Sequence, residues 1–315
     1  MKAAWDWALP RETVREEREL VNFAADLGFD TLIVRRPTDE MVDVGHERGL
    51  SVLQILNGRP PSTFTDEHPT CLQEIHPVEE GILAAIADGP DGYHQLAHRW
   101  FPPVLGGDFY CFEQEESLRS VEGRIEAALD VADGIAFDGF GFRNHYACFC
   151  EACEGRRERL DMPRLEAIEK VGRDQLISTS ERLYDHAKSV APDAVITNHV
   201  WPPFRPDPTY GRDLRLDYCT QTIAWFYRPN WSKDRVRDEA ERHARLAGEA
   251  NTFVPFIGMH DEEGVRRSPG QLQIELEIAL EYGDGHVTLC TLGAPHASPD
   301  HAAVVSDVLS TEAAG

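Results

Sequence analysis

The sequence predicts one α/β domain over residues 1–315, a single (β/α)8 or TIM barrel with a long insertion after its third strand. Three observations predict it. Eight short apolar segments alternate with longer, charged, helix-patterned ones, the repeat expected of βα units. The apolar segments are continuous runs, as parallel strands buried on both faces require. The first strand leads into "WDWALPRE", which lacks the G-x-G-x-x-G turn of an open dinucleotide-binding sheet.

Taken in order, the first strand falls in "AAWDWAL" (3–9), followed by an amphipathic helix in 11–29. "TLIVRR" (31–36) supplies the second strand, with a helix near 38–48, and "SVLQILN" (51–57) the third. Residues 58–110, rich in Pro, Gly and His, form the insertion in the connection from strand three to helix three. A helix at 115–133 leads into "GIAFDGF" (134–140), and a long helical stretch at 163–190 into "AVITNHV" (194–200). The remaining units are "DYCTQTIAWFY" (217–227) with a helix at 232–250, "TFVPFIGMH" (252–260) with a helix at 269–282, and "HVTLCTL" (286–292) with a closing helix.

Lys+Arg number 31 against 55 Asp+Glu, a net charge of −24. Such a surface repels nucleic acid and anionic lipid, so neither is expected as a partner. Only Lys2, Lys170, Lys188 and Lys233 are lysines, and an acidic, lysine-poor surface suits a halophilic protein working where salt screens carboxylate repulsion. The N-terminal stretch has no apolar run suited to a signal peptide, and no segment reaches the ~18–20 apolar residues of a membrane span. A cytoplasmic location is expected, where the seven cysteines stay reduced and serve as metal ligands or core residues.

In a barrel of this kind the loops after each strand build the working face. The residues placed there are Asp6 and Trp7, Arg35 and Arg36, Asn57, Asp138, then Asn198, His199 and Trp201. Gln221 or Trp225, then His260, Asp261 and Glu262, and finally Thr291 complete the rim. Aromatic faces stack on sugar rings and planar polar groups bind hydroxyls, so the collection suits a small-molecule or oligosaccharide substrate. The expected substrate-binding residues are Asp6, Trp7, Arg35, Asn198, His199, Trp201, Trp225 and His260. Any of the tryptophans is equally at home in barrel core.

Residues 148–153 hold Cys148, Cys150 and Cys153 as C-x-C-x-x-C, in what reads as a loop. Three thiolates offer three of the four tetrahedral positions that zinc prefers. Cys111, just before the helix that leads into strand four, is a candidate for the fourth, with His145 competing. With four thiolates no coordination position stays open, so the ion would be structural. Cys71, Cys219 and Cys290 read as loop or core residues.

An upstream Cys, a carboxylate ending strand four and then C-x-C-x-x-C resembles the zinc-bearing β-galactosidases of glycoside hydrolase family forty-two. "DGIAFD" (133–138) before that loop is similar also to uncharacterised glycosyl-hydrolase-like barrels carrying DGI-x-x-D. The resemblance implies that Cys111, Cys148, Cys150 and Cys153 bind zinc. It is sharp over about 105–155 and architectural elsewhere. The Asn-Glu pair of that family after strand four is absent here, where Asp138 is the nearest carboxylate, and at strand seven the candidates are Asp261 and Glu262.

Glycoside hydrolysis needs two carboxyl groups flanking the scissile bond, one protonated and one ionised. The expected pair is Asp138, as nucleophile or acid, with Asp261 or Glu262 across the mouth, and with His199 and His260 binding hydroxyls or orienting the acids. A metal-dependent sugar isomerase or epimerase is the rival enzyme, with His199, His260, Asp138 and Glu262 as ligands. A zinc-pinned barrel that binds a saccharide without turning it over is the third reading. No G-x-S-x-G elbow supports a nucleophilic serine.

Overall fold

The computed structural model describes residues 1–75, 107–141, 147–199, 213–225, 230–247, 251–259 and 266–311. Eight strands close into a parallel barrel in chain order. They are β1 (Lys2–Asp6), β2 (Thr31–Val34), β3 (Ser51–Asn57), β4 (Gly134–Asp138), β5 (Val195–His199), β6 (Tyr218–Ala224), β7 (Thr252–Gly258) and β8 (Val287–Cys290). β1 closes the ring by pairing with β8, Ala3 opposite Thr288. Several strands stop earlier than the apolar runs suggest. β6 ends at Ala224, before Trp225, and a register shift against β7 between Thr222 and Ala224 marks the end of regular pairing.

The helices are α1 (Val14–Asp26), α2 (Asp39–Glu47), α3 (Ser62–Glu67), α4 (Glu115–Leu129), α5 (Glu151–Glu158) and α6 (Arg164–Val190). α7 (Lys233–Leu246), α8 (Pro269–Tyr282), α9 (Gly293–Ala297) and α10 (Pro299–Thr311) follow. Their starts are written locally. Thr13 and Glu16 form a capping box on α1, and Ser268 caps α8 ahead of Pro269, satisfying N–H groups that have no partner within the helix. None of the described helices is long and apolar enough to cross a membrane.

Two apolar cores result, one joining the β1–β3 and β6–β8 side to its helices and one formed by β4, β5, α4, α6 and the cysteine segment. The interior of the barrel is identified by contacts across it. The Trp5 ring lies 5.6 Å from the His199 ring and 5.9 Å from that of Phe256, although β1, β5 and β7 are not neighbours. Register carries this inner face around the ring: Asp138 pairs with His199, and Thr222 with Phe256. Residues one place along each strand therefore face the helices.

Candidate active site and metal centre

Asp138 ends β4 on the inner face, at the C-terminal mouth. Its Oδ1 lies 3.3 Å from Nδ1 of His199, the last residue of β5. Nε2 of His199 lies 2.9 Å from the Thr222 hydroxyl on β6. The imidazole stacks on Phe256 with ring centres 3.8 Å apart and meets the edge of Trp5, so ring orientation is fixed by packing as well as by hydrogen bonds. His199 is 5 % exposed, while Asp138 is partly open to the mouth.

The turn after Asp138 is set by a close approach of two backbones. Gly58 N–H donates to the Asp138 carbonyl at 3.1 Å, and a Cβ on Gly58 would come within 2.6 Å of the Gly139 carbonyl. Gly139 itself has φ of +66°, the left-handed region where a side chain is strained. The loops after β3 and β4 thus lock together beside the carboxylate. Buried Gln73 adds a second tie, its amide donating to the Tyr110 carbonyl at 3.0 Å and the Gly141 carbonyl at 2.9 Å.

The other expected rim residues take varied places. Asp6 is fully buried; its Oδ2 accepts from Ala8 and Leu9 N–H and its Oδ1 from Leu292 N–H at 2.9 Å. It therefore ties the loop after β1 to the loop after β8. Burial pushes its carboxyl up, against the pull of those three N–H groups. Trp7 is 37 % exposed and Arg35 is exposed with its carbonyl accepting from Arg11. Asn198 alternates with His199 and faces outward, its Oδ1 accepting from Thr220 N–H, beside Phe137, Phe140 and Leu183. Trp225 is 3 % exposed, in the core, with its carbonyl accepting from Arg267. Trp201, His260, Asp261 and Glu262, like His145, lie outside the described residues.

Thr222 is the residue that the sequence reading misses. Gln221 and Trp225 stand out by chemistry, yet Gln221 donates to Cys219 on the outer face and Trp225 lies past the strand end. The alternation of Thr220 and Thr222 with Cys219, Gln221 and Ile223 carried the signal. Cys290, fully buried at the end of β8, was expected as core. Its thiol is pushed well up by burial, then by the charges of Asp6 and Asp138, which places it under the same mouth.

The candidate metal centre is compact. Sulfurs of Cys111, Cys148, Cys150 and Cys153 all lie within 4.8 Å of one another, and all four residues are buried. The Cys111 sulfur is 3.4 Å from that of Cys150 and 3.6 Å from that of Cys153. A tetrahedral ion at the usual Zn–S length spaces its sulfurs by about 3.8 Å, so the donor set and the spacing fit a thiolate-bound metal. Hydrogen bonds among the thiols drive Cys111 up, Cys148 foremost, and hold Cys150 down, Cys111 foremost.

One expectation is corrected here. Only Cys148 and Cys150 precede regular structure; α5 begins at Glu151, so Cys150 is its N-cap and Cys153 lies on its first turn. Glu151 and Glu154 near the start and Arg156 and Arg157 near the end match the helix dipole, which favours this helix despite the cysteines. The N-terminal end of α5 also favours thiolate over thiol. Arg157, 3 % exposed, donates to the Cys148 carbonyl and to Glu154, over the Phe149 ring. Gln175 of α6 donates to Glu113 at 3.1 Å and reaches the Cys153 sulfur at 3.8 Å. These donors offset the negative charge of a four-thiolate site. From the centre, Phe112 beside Cys111 stacks on Phe140, which packs on Phe137 next to Asp138.

No family model and no curated protein sequence matches the chain. Solved structures do. A β-galactosidase from Rahnella sp. R3 superposes with a TM-score of 0.66 at 14% identity, over 100% of this chain and 56% of that one. An α-L-fucosidase isoenzyme 2 from Paenibacillus thiaminolyticus gives 0.63 at 13%, over 98% of this chain and 49% of that one. The PgaB (BpsB) glycoside hydrolase domain from Bordetella bronchiseptica gives 0.63 at 12%, over 98% of both chains. The fold is a (β/α)8 barrel, like theirs. The chain spans about half the length of the β-galactosidase and the fucosidase. At such identities the likeness concerns the fold, and the chemistry has to be argued from the mouth itself.

Proposed function

We propose that the protein is a glycoside hydrolase acting on a saccharide, with a carboxylate pair at the barrel mouth and a structural zinc ion beneath the loops that shape it. The observation that carries the reading is Asp138, on the inner face at the end of β4, partly open to the mouth and held 3.3 Å from a histidine packed between aromatic rings. A glycosidase needs a carboxylate of fixed orientation in such a place. The glycoside hydrolases among the similar structures support the same class. Asp261 or Glu262, both of which follow β7 in the sequence, is the second carboxylate of the proposal. Exposed Trp7 offers an aromatic face for a sugar ring at the same rim.

Zinc held by Cys111, Cys148, Cys150 and Cys153 would supply cross-linking and no reaction step, because four thiolates would leave it no open position. The test is hydrolysis of a panel of nitrophenyl glycosides, β-galactoside, α-galactoside and α-L-fucoside among them. Release of nitrophenol above the spontaneous rate from at least one is expected. Binding of oligosaccharide with no product from any substrate would transfer support to the non-catalytic saccharide-binding reading.

A further inference from the structure

We propose that Thr222 is a positioning residue that, by donating to Nε2 of His199, favours the ring proton on Nδ1, where it faces Asp138. The inference deepens the glycosidase reading and rests on it for a carboxylate at Asp138; the order of partners along the line stands on geometry. The three side chains form a line across β4, β5 and β6: Asp138 Oδ1 to His199 Nδ1 at 3.3 Å, then His199 Nε2 to Thr222 Oγ1 at 2.9 Å. An ionised carboxylate only accepts hydrogen bonds, so the nitrogen facing it must carry the proton. In a neutral imidazole the other nitrogen is then an acceptor, and a hydroxyl is the partner able to donate to it. Threonine at 222 meets that need, where a carbonyl would demand the opposite tautomer.

Packing removes the alternatives of rotation. A swung ring would leave the stack on Phe256 and the edge of Trp5, and a ring flipped in its own plane would set carbons against both Asp138 and Thr222. Thr222 is 1 % exposed and sits on the strand just before the register shift, so its own position is held by regular pairing with Phe256. The line ends on an Asp138 oxygen that receives a hydrogen bond from the His199 ring, which holds the carboxylate in one orientation at the mouth.

The experiment is two-bond 1H–15N correlation spectroscopy at neutral pH on protein labelled at its histidine ring nitrogens, with His199 assigned by the signal lost in His199→Gln. The wild type should show His199 protonated at Nδ1 and bare at Nε2. Thr222→Val should shift that pattern towards Nε2–H or imidazolium, and Thr222→Ser should keep it. Thr222→Ala serves where valine does not fold. On a hydrolysed glycoside, Thr222→Val should lower kcat about tenfold, the worth of one buried hydrogen bond, with serine restoring most of it. A wild type carrying the proton on Nε2 or on both nitrogens overturns the proposal. So does a Thr222→Val spectrum identical to the wild type. The spectra require no substrate: the expected tautomer in a protein that hydrolyses no glycoside keeps the relay and sinks the glycosidase reading alone.

Discussion

His243 shows how burial of a single ionisable ring on α7 sets a dependence on pH. It is 6 % exposed, and burial, then the neighbouring Arg242, pushes its pKa down to about 3. Glu239 lies 3.7 Å away and would favour the charged form, but that carboxylate is already engaged by Arg242, and burial wins. An unfolded histidine titrates near 6.5. Between about 6.5 and 3 the unfolded chain binds a proton that the folded one does not, so stability falls as pH drops through that window. Denaturant titrations from pH 7 to 4 should show this slope, and His243→Gln should flatten it; an equally steep loss in the variant would assign the slope elsewhere. At the same scale, Asp138 was legible in the sequence because it ends an apolar run. The place of His199 at the next strand end was legible too; Thr222 and Trp5 were not, since the face of Thr222 depends on strand phase and the contact of Trp5 with His199 on closure of the ring. Asp6 illustrates the reverse: its place at the end of β1 was legible, its burial beneath the Leu292 N–H was not.

At the scale of elements, the strand and helix order could be read directly, because continuous apolar runs and capped amphipathic helices are local patterns. Boundaries were less legible, since pairing ends where the register shifts, as at Ala224, rather than where hydrophobicity ends. The cysteine cluster was the most legible part of the site. Three of its cysteines lie within six residues, and Cys111 precedes the helix leading to β4. That centre joins the segment before α4 to α5 and leans, through Phe112 and Phe140, on the turn after Asp138. Stripping the metal with a strong chelator, or Cys111→Ser, should lower the thermal midpoint by about 10 °C or more and reduce activity together with it. Elemental analysis should find one zinc per chain in the wild type. A full activity and an unchanged midpoint after complete metal loss would remove the centre from the architecture of the mouth.

For the whole molecule, a net charge of −24 acts over long range, and its cost falls as salt shortens the Debye length. Many surface arginines are paired, as Arg182 is with Glu115 and Glu122, yet the acids outnumber them. The unfolding midpoint should therefore rise steeply with KCl into the molar range, and a flat response would remove the halophilic reading. The barrel brings together at one mouth residues that the sequence scatters, with Asp138, His199 and Thr222 from three consecutive strands and Trp5 from across the ring.

The most direct measurement is kcat on the best nitrophenyl glycoside for wild type and Asp138→Asn at equal zinc content. The amide keeps the shape of the carboxylate and removes its charge, so turnover should fall by roughly three orders of magnitude or more with the thermal midpoint and zinc retained. Asp138→Asn turning over within a few-fold of the wild type would contradict the assignment of the mouth of this barrel as a carboxylate-driven active site.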